Sequence, residues 1–137
     1  MIFQLIYTCA FTTIMSPSDL EAIAEDARRR NLERGITGIL LCKDGSVLQV
    51  LEGKKSAVLE LYETIANDPR VSNILVMIKR QATKREFPNW SMGFKNASDS
   101  EAVFELCAQS FPNVLPEKIS PEINTIGRTF ARVNGLA

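Results

Sequence analysis

The sequence predicts an α+β domain of ferredoxin-like layout, in the element order βαββαββ, with a mixed five-stranded sheet and two helices on one face. Three observations predict this class. Apolar runs of strand length alternate along the chain with two amphipathic stretches of helical period. An Asp-Gly pair at 44–45 joins two of the strands as a tight hairpin. Each amphipathic stretch links two strands, and right-handed crossovers place both helices on the same face of the sheet.

The first half of the chain predicts a strand, a helix and a second strand. Residues 2–8 alternate in the manner of a strand, with Tyr7 on the same face as two apolar side chains. A capping box of Ser18 and Glu21 predicts the start of the first helix, and Gly35 is its expected C′ residue. Residues 36–42 are apolar on both faces, which predicts a central strand.

The middle of the chain predicts three more strands and a helix. Residues 47–52 form the second strand of the hairpin, and a helix is expected over 56–67 because its apolar residues recur at helical spacing. Pro69 ends that helix. A fourth strand is predicted over 71–78 and a short fifth strand over 87–94.

The C-terminal part predicts two helices that cover the other face of the sheet. They are expected over 99–111 and 119–133, the second beginning at Ser120-Pro121. We therefore divide the chain into an α+β domain over 1–97 and a helical extension over 98–137.

Composition excludes several classes of function. Lys and Arg number 16 and so do Asp and Glu, so no basic excess predicts binding to nucleic acid. The absence of histidine removes Ser-His-Asp triads and most zinc sites. The cysteines, Cys9, Cys42 and Cys107, are widely spaced and odd in number, which favours free thiols in a reducing cytoplasm over disulfides or a metal site. No apolar run is long enough to span a membrane, and the N-terminus does not resemble a signal peptide.

Three polar residues occupy positions where the pattern calls for apolar ones: Tyr7, Asn31 and Gln49. A buried amide without a partner costs roughly 1–3 kcal/mol, so each side chain needs a hydrogen-bond partner. They either satisfy one another within the protein or line a pocket for a flat heteroaromatic ligand with carbonyl and imide edges. The residue pattern alone leaves both possibilities open and does not identify a ligand.

Several motifs resemble the BLUF family, the sensors of blue light using FAD. They are Leu-Ile-Tyr at 5–7, Asn-Leu-Glu-Arg-Gly-Ile-Thr-Gly-Ile-Leu-Leu at 31–41, Leu-Gln-Val-Leu-Glu-Gly at 48–53, Asp-Pro-Arg at 68–70 and Arg-x-Phe-x-x-Trp-Ser-Met at 85–92. The resemblance covers residues 2 to about 94 in order. Each motif is weak alone, and the set is highly specific.

The resemblance implies a noncovalent flavin site, with FAD as the cofactor and FMN or riboflavin also accepted. Tyr7 matches the photoactive tyrosine, and Gln49 matches the glutamine that bridges this tyrosine and the flavin N5/C4=O edge. Asn31 matches the asparagine that bonds the ring near C4=O and N3–H. The remaining matches are Ile23 as an apolar wall, Asp68 and Arg70 beside the pyrimidine edge and ribityl chain, and Arg30 near the phosphates.

The resemblance also implies a signalling role rather than catalysis. Light drives electron and proton transfer from Tyr7 through Gln49 and rearranges hydrogen bonds around the flavin. Trp90 and Met92 match fifth-strand residues that relay the signal. We expect output through that strand and the C-terminal helices to a partner protein, and a homo-oligomer without direct contact to nucleic acid or membrane. The chain departs from the family pattern in three places: the stretch Thr8-Cys9, Ala27 and Val71.

Two alternatives use the same fold. One is a small acylphosphatase-like enzyme, in which Arg70 or the run Arg28-Arg29-Arg30 binds phosphate and Asn31 positions water. The missing phosphate loop disfavours it, and the arginine run is equally well explained as a solvated helix face. The other is an interaction module that binds no ligand. An absorption spectrum separates all three.

Overall fold

The computed structural model describes residues 1–14, 16–43, 45–88 and 119–133. Within these ranges, strands and helices follow in the order βαββαβα. The strands are β1 (Ile2–Phe11), β2 (Thr37–Lys43), β3 (Ser46–Gly53) and β4 (Val71–Ala82), and the helices are α1 (Pro17–Glu33), α2 (Lys55–Ala66) and α3 (Pro121–Val133).

The four described strands form one sheet in the order β2-β3-β1-β4, with every neighbouring pair antiparallel. This order, with α1 and α2 as the crossovers, confirms the predicted ferredoxin-like α+β class. The parallel pairing that a mixed sheet requires does not occur among these four strands. Of the predicted fifth strand, residues 87 and 88 lie in a bend and a turn, and 89–94 lie outside the described residues. The predicted helix over 99–111 and the domain boundary at 97/98 also lie outside them.

Helix α1 begins two residues earlier than the predicted capping box, so Ser18 and Glu21 are not its cap. Ser16 is the N-cap: its Oγ accepts from the Asp19 backbone N–H at 3.1 Å, and Asp19 Oδ2 accepts from the Ser16 N–H at 3.1 Å. Pro17 then stands in the first turn, where its missing N–H costs nothing. The helix ends as predicted, with Gly35 at a φ of 68° just past the C-cap.

Strands β1 and β4 are longer than predicted because they pair with each other from Ile2–Ala82 to Phe11–Val71. The pairing is interrupted twice, at Met77 and around Asn73, where β4 carries an extra residue relative to β1. Asn73 has a φ of 55°, a conformation that asparagine tolerates better than most residues. Strand β4 is therefore a bulged strand at one end of the described sheet.

Side chains of the sheet alternate between two separate cores. One core packs against α1 and α2, and its buried members are Phe3, Leu5, Tyr7, Cys9, Ile36, Cys42, Val47, Leu51, Val58 and Leu61. The other packs against α3, and its buried members are Ile6, Ile39, Leu41, Leu48, Val50, Phe87, Ile123 and Phe130. The described C-terminal helix thus covers the face opposite the two crossover helices, as predicted.

One close backbone approach and one arginine side chain hold the end of β3 against the turn before β2. A Cβ on Gly53 would lie 3.1 Å from the Gly35 carbonyl oxygen, so the end of β3 and the turn before β2 touch through backbone. Arg85 secures the same corner. It donates to Thr37 Oγ1, the Glu52 carbonyl and the Gly35 carbonyl at 2.7–2.8 Å.

Candidate functional site

A pocket lies between the sheet and the two crossover helices. Its apolar wall comes from both layers, and its polar groups converge from β1, β3, α1 and the turn before β4. The lining residues are Tyr7, Cys9, Phe11, Ile23, Ala27, Arg30, Asn31, Leu40, Val47, Gln49, Leu61, Ile65, Asp68, Arg70 and Val71. A mostly apolar pocket with a few convergent polar groups is typical of a small-molecule site.

Tyr7 and Gln49 face each other across the β1–β3 ladder as register partners. Both side chains are buried, and Tyr7 Oη donates to Gln49 Oε1. The amide carbonyl is therefore engaged by the phenol, and the donor end of the amide points away from it. The Tyr62 ring packs edge-on against Tyr7, with ring centroids 5.8 Å apart and planes at 74°.

Burial raises the pKa of Tyr7 well above its ordinary value of 10.0, with smaller contributions from Cys9 and Tyr62. Burial also raises the pKa of the Cys9 thiol, from 9.0 to about 11, and Cys42 adds to the effect. Both groups are consequently neutral at physiological pH. The sheet side of the pocket presents a protonated phenol and a protonated thiol.

Asn31 is 1% exposed, and its Oδ1 atom has no hydrogen-bond partner among the described residues. Its backbone carbonyl accepts from the N–H groups of Arg34 and Ile36 at 3.1 and 2.8 Å, which holds this end of α1 in place. A buried acceptor left without a partner costs about 1–3 kcal/mol. An N–H donor from a ligand, such as the imide of a heteroaromatic ring, would satisfy this oxygen.

Charged groups stand at the mouth of the pocket. Arg70 donates to both oxygens of Asp68, with Nη2 at 2.6 Å from Oδ2, and its backbone N–H donates to Oδ1 at 2.9 Å. The hydrogen bonds from Arg70 lower the pKa of Asp68 below its ordinary value, and Arg30 assists electrostatically. Arg30 itself lies 3.4 Å from Asp26 and remains partly exposed. The mouth therefore presents two guanidinium groups and one ionised carboxylate.

The structure brings seven of the predicted site residues to this one pocket: Tyr7, Ile23, Arg30, Asn31, Gln49, Asp68 and Arg70. Their parts in binding and photochemistry stay predictions. Trp90 and Met92, the predicted relay residues, lie outside the described residues. Among the residues at which the chain departs from the family pattern, Cys9, Ala27 and Val71 line the pocket.

Sequence reasoning did not place Tyr62, Leu61 and Ile65 at the site. They belong to the apolar stripe of α2, and a helix stripe does not distinguish residues over a pocket from residues over solid core.

Among the residues that the structure describes, no helix combines the length and apolar character needed to cross a membrane.

A family model described as BLUF, sensors of blue-light using FAD, matches residues 2–93. Photoactivated adenylate cyclase subunit beta of Euglena gracilis is 39% identical over 89 residues, which are 64% of this chain and 10% of that protein. The chain thus spans a tenth of the length of this relative, and the cyclase activity in the relative's name is stated of that protein alone.

Solved structures show the same likeness. BlrB, described as a BLUF protein in its dark state, has a TM-score of 0.67 at 29% identity, with 96% of both chains covered. Klebsiella pneumoniae BlrP1, solved with FMN and cyclic diGMP, has a TM-score of 0.62 at 35% identity and covers 67% of this chain and 25% of its own. The first of these matches the described fold along nearly its entire length.

Proposed function

The chain belongs to the BLUF family, the flavin-binding sensors of blue light, and we propose that it is a blue-light photoreceptor that holds FAD noncovalently in the Tyr7–Gln49–Asn31 pocket. The observation that carries the proposal is the bond from the buried Tyr7 hydroxyl to Gln49 at the pocket wall. A phenol next to an amide, in a pocket that also holds an unsatisfied acceptor, suits a ring with both donor and acceptor edges.

Different residues of the pocket would contact different parts of FAD. Asn31 and Gln49 offer hydrogen bonds to the edges of the ring, and Ile23 supplies an apolar wall on the α1 side. Arg30, Asp68 and Arg70 stand at the mouth, where the ribityl chain and phosphates would leave the pocket. Guanidinium groups suit phosphate oxygens, and FMN or riboflavin would occupy the same ring site with fewer contacts at the mouth. The similarity to BlrP1, which was solved with FMN, supports a flavin as the ligand.

The bound flavin supplies blue absorption and, when excited, a strong electron acceptor. Tyr7 is the donor, because its buried phenol stays protonated in the dark and becomes acidic once an electron leaves. Gln49 passes the proton along its amide, and the electron and proton both return to Tyr7. Gln49 is left rotated or tautomerised, which changes the hydrogen bond that it offers to the ring.

We infer that this rearrangement is read by another protein rather than by catalysis in this domain. Trp90 and Met92 would carry it along the predicted fifth strand to the C-terminal helices, and from there to a downstream signalling protein or to a second copy of the chain. A small change at one site can bias a packed element that has two arrangements. Cys9 and Cys42 are buried thiols, which suit a reducing cytoplasm.

An absorption spectrum tests the proposal. Protein expressed with ample riboflavin should carry a tightly bound flavin, and blue light should shift its visible bands reversibly to longer wavelength. A colourless protein that hydrolyses acyl phosphates would support the enzyme alternative. A protein with no chromophore and no hydrolase activity would support the interaction module.

A further inference from the structure

A second cluster of polar side chains lies on the face of the sheet opposite the pocket. Gln4 and Glu52 are fully buried there. Gln4 Nε2 donates to Glu52 Oε2 at 2.9 Å and to Glu86 Oε2 at 2.8 Å, and Arg80 Nε donates to Gln4 Oε1 at 2.8 Å. Glu52 also accepts from the backbone N–H groups of Glu86 and Phe87 at 2.8 and 2.7 Å.

The same cluster holds the start of α3. Glu86 Oε1 accepts from the Ser120 backbone N–H, and Arg80 Nη2 donates to Ser120 Oγ at 3.0 Å. Ser120 Oγ in turn accepts from the backbone N–H of Ile123, within the first turn of the helix, at 3.4 Å. We call the cluster of Gln4, Glu52, Arg80, Glu86 and Ser120 the latch. It joins β1, β3 and β4 to α3 through side chains distant in sequence.

The latch and the Tyr7–Gln49 pair share one ladder. Gln4 is the register partner of Glu52 and Tyr7 is the register partner of Gln49, both across β1 and β3. The two pairs are three residues apart, about 10 Å along the strands, and their side chains point to opposite faces. A change in the spacing of β1 and β3 at the pocket pair would therefore reach the latch along the backbones of these two strands, with no intervening side chain.

The composition of the latch suits it to switching. Buried carboxylates and a guanidinium contribute little net stability compared with apolar packing, and a network that loses one partner is strongly destabilised. A small displacement of Gln4 relative to Glu52 would lengthen several of these bonds together. The hydrogen bonds of Glu86 and Arg80 to Gln4 would weaken at the same time. These two side chains are also the ones that hold Ser120.

We propose that the latch couples the Tyr7–Gln49 pair to the docking of α3, so that illumination loosens the helix from the sheet. The inference rests on the photoreceptor function proposed above. It assigns positioning roles to Gln4, Glu52, Arg80 and Glu86, none of which touches the pocket. It also provides a route to the C-terminal helix that does not depend on Trp90 and Met92.

Hydrogen exchange of the full flavin-loaded chain, measured in the dark and under continuous blue light, tests the coupling. Wild-type amides over 121–133 should exchange several times faster in the light. Glu86→Gln keeps the shape of the side chain but turns an NH₂ group toward Ser120 N–H or toward the Gln4 and Arg80 donors. Dark exchange in α3 should then rise about tenfold, the cost of one charge-assisted hydrogen bond. Light should add little more, while the flavin red shift remains.

Glu122→Gln is the matched control. Glu122 is also on the first turn of α3, but its carboxylate is 57% exposed and lies 3.7 Å from Arg80, outside the hydrogen-bonded cluster. Loss of this exposed ion pair should raise dark exchange in α3 less than Glu86→Gln does, because exposed ion pairs contribute little to stability. The light response of Glu122→Gln should match that of the wild type. If Glu86→Gln does not fold, Ser120→Ala is a milder second variant. It keeps the backbone N–H bond to Glu86 but removes the Oγ bonds to Arg80 and to the Ile123 N–H. It should raise dark exchange in α3 about fivefold, the usual effect of a lost N-cap.

The outcomes separate the two proposals. A wild-type protein that shows the red shift but no change in α3 exchange overturns the latch and leaves the photoreceptor intact. A Glu86→Gln or Ser120→Ala protein with the full light response also overturns it. Absence of any red shift in the wild type refutes the photoreceptor function and the latch with it.

Discussion

Replacing Asn31 with leucine should change the stability of the flavin-free protein and its affinity for flavin in opposite directions. Asn31 is 1% exposed and its Oδ1 has no partner among the described residues. Leucine has the same branched shape and no polar atoms. Without a ligand, the substitution removes a buried acceptor that nothing satisfies. With a ligand, it removes a hydrogen bond to the ring.

The magnitudes follow from the cost of unpaired polar groups. Loss of the unsatisfied oxygen should raise the free energy of unfolding of the flavin-free protein by about 1–2 kcal/mol. For a chain of this size, that corresponds to a rise in Tm of roughly 3–6 °C. In the complex, the ring would lose one hydrogen bond and keep an unpaired polar atom. Affinity for FAD should therefore fall about ten- to hundredfold.

Thermal unfolding of the flavin-free protein and titration with FAD, followed by flavin fluorescence, measure the two effects. Asn31→Asp is the matched control, because it keeps the shape and an acceptor but buries a charge; it should lower the Tm. If Asn31→Leu destabilises the flavin-free protein, the oxygen is satisfied in solution. If the Asn31→Leu variant binds FAD as tightly as the wild type does, Asn31 does not contact the ring.

Three further predictions concern the sheet side of the pocket. Tyr7→Phe should retain flavin and lose the light-induced red shift in the absorption spectrum, because phenylalanine cannot donate the electron and proton; a full response would exclude Tyr7 as the donor. Gln49→Leu should also keep flavin without a red shift, and a normal photocycle in that variant would remove Gln49 from the mechanism. Burial raises the pKa of Cys9 from 9.0 to about 11, so the unfolded chain loses the thiol proton first. The free energy of unfolding should fall between pH 9 and 11, and Cys9 should contribute at most about 1.4 kcal/mol per pH unit to that fall. Urea denaturation should show a shallower fall for Cys9→Ser, and an identical slope would mean that Cys9 titrates normally.

The sequence was sufficient to predict the sheet and its two faces because strand alternation is local and strong. The positions of Leu5 and Ile6 in the strand are enough to assign their side chains to opposite faces of the sheet. The apolar patterns also predicted three of the pocket residues, since Tyr7, Asn31 and Gln49 interrupt them. Their convergence follows once β1 and β3 are neighbours. The other four pocket residues predicted, Ile23, Arg30, Asp68 and Arg70, rested on the family resemblance.

Other features depend on contacts that no local pattern records. The N-cap of α1 was misplaced because Ser16 and Ser18 both resemble caps, and the hydrogen bonds between Ser16 and Asp19 decide between them. The far end of β4 was missed because Lys79 and Arg80 do not look like strand residues, although pairing with β1 makes them so. The latch was missed because Gln4 and Glu86 are 82 residues apart. No sequence pattern near Gln4 or Glu86 indicates that the two side chains are in contact.

The two interruptions in β4 have a consequence for how molecules of this protein meet one another. A straight strand at the end of a sheet offers a ready template for open-ended assembly into fibrils. Here Leu75 and Met77 are 60% and 45% exposed, and this exposed apolar surface would favour association of a second strand. The extra residues at Met77 and near Asn73 bend the strand and break the regular spacing of its outward N–H and C=O groups. The longest uninterrupted stretch of β4 is the five residues 78–82. An incoming extended chain could therefore match only a short length of this end of the described sheet, and the bulges disfavour open-ended polymerisation there.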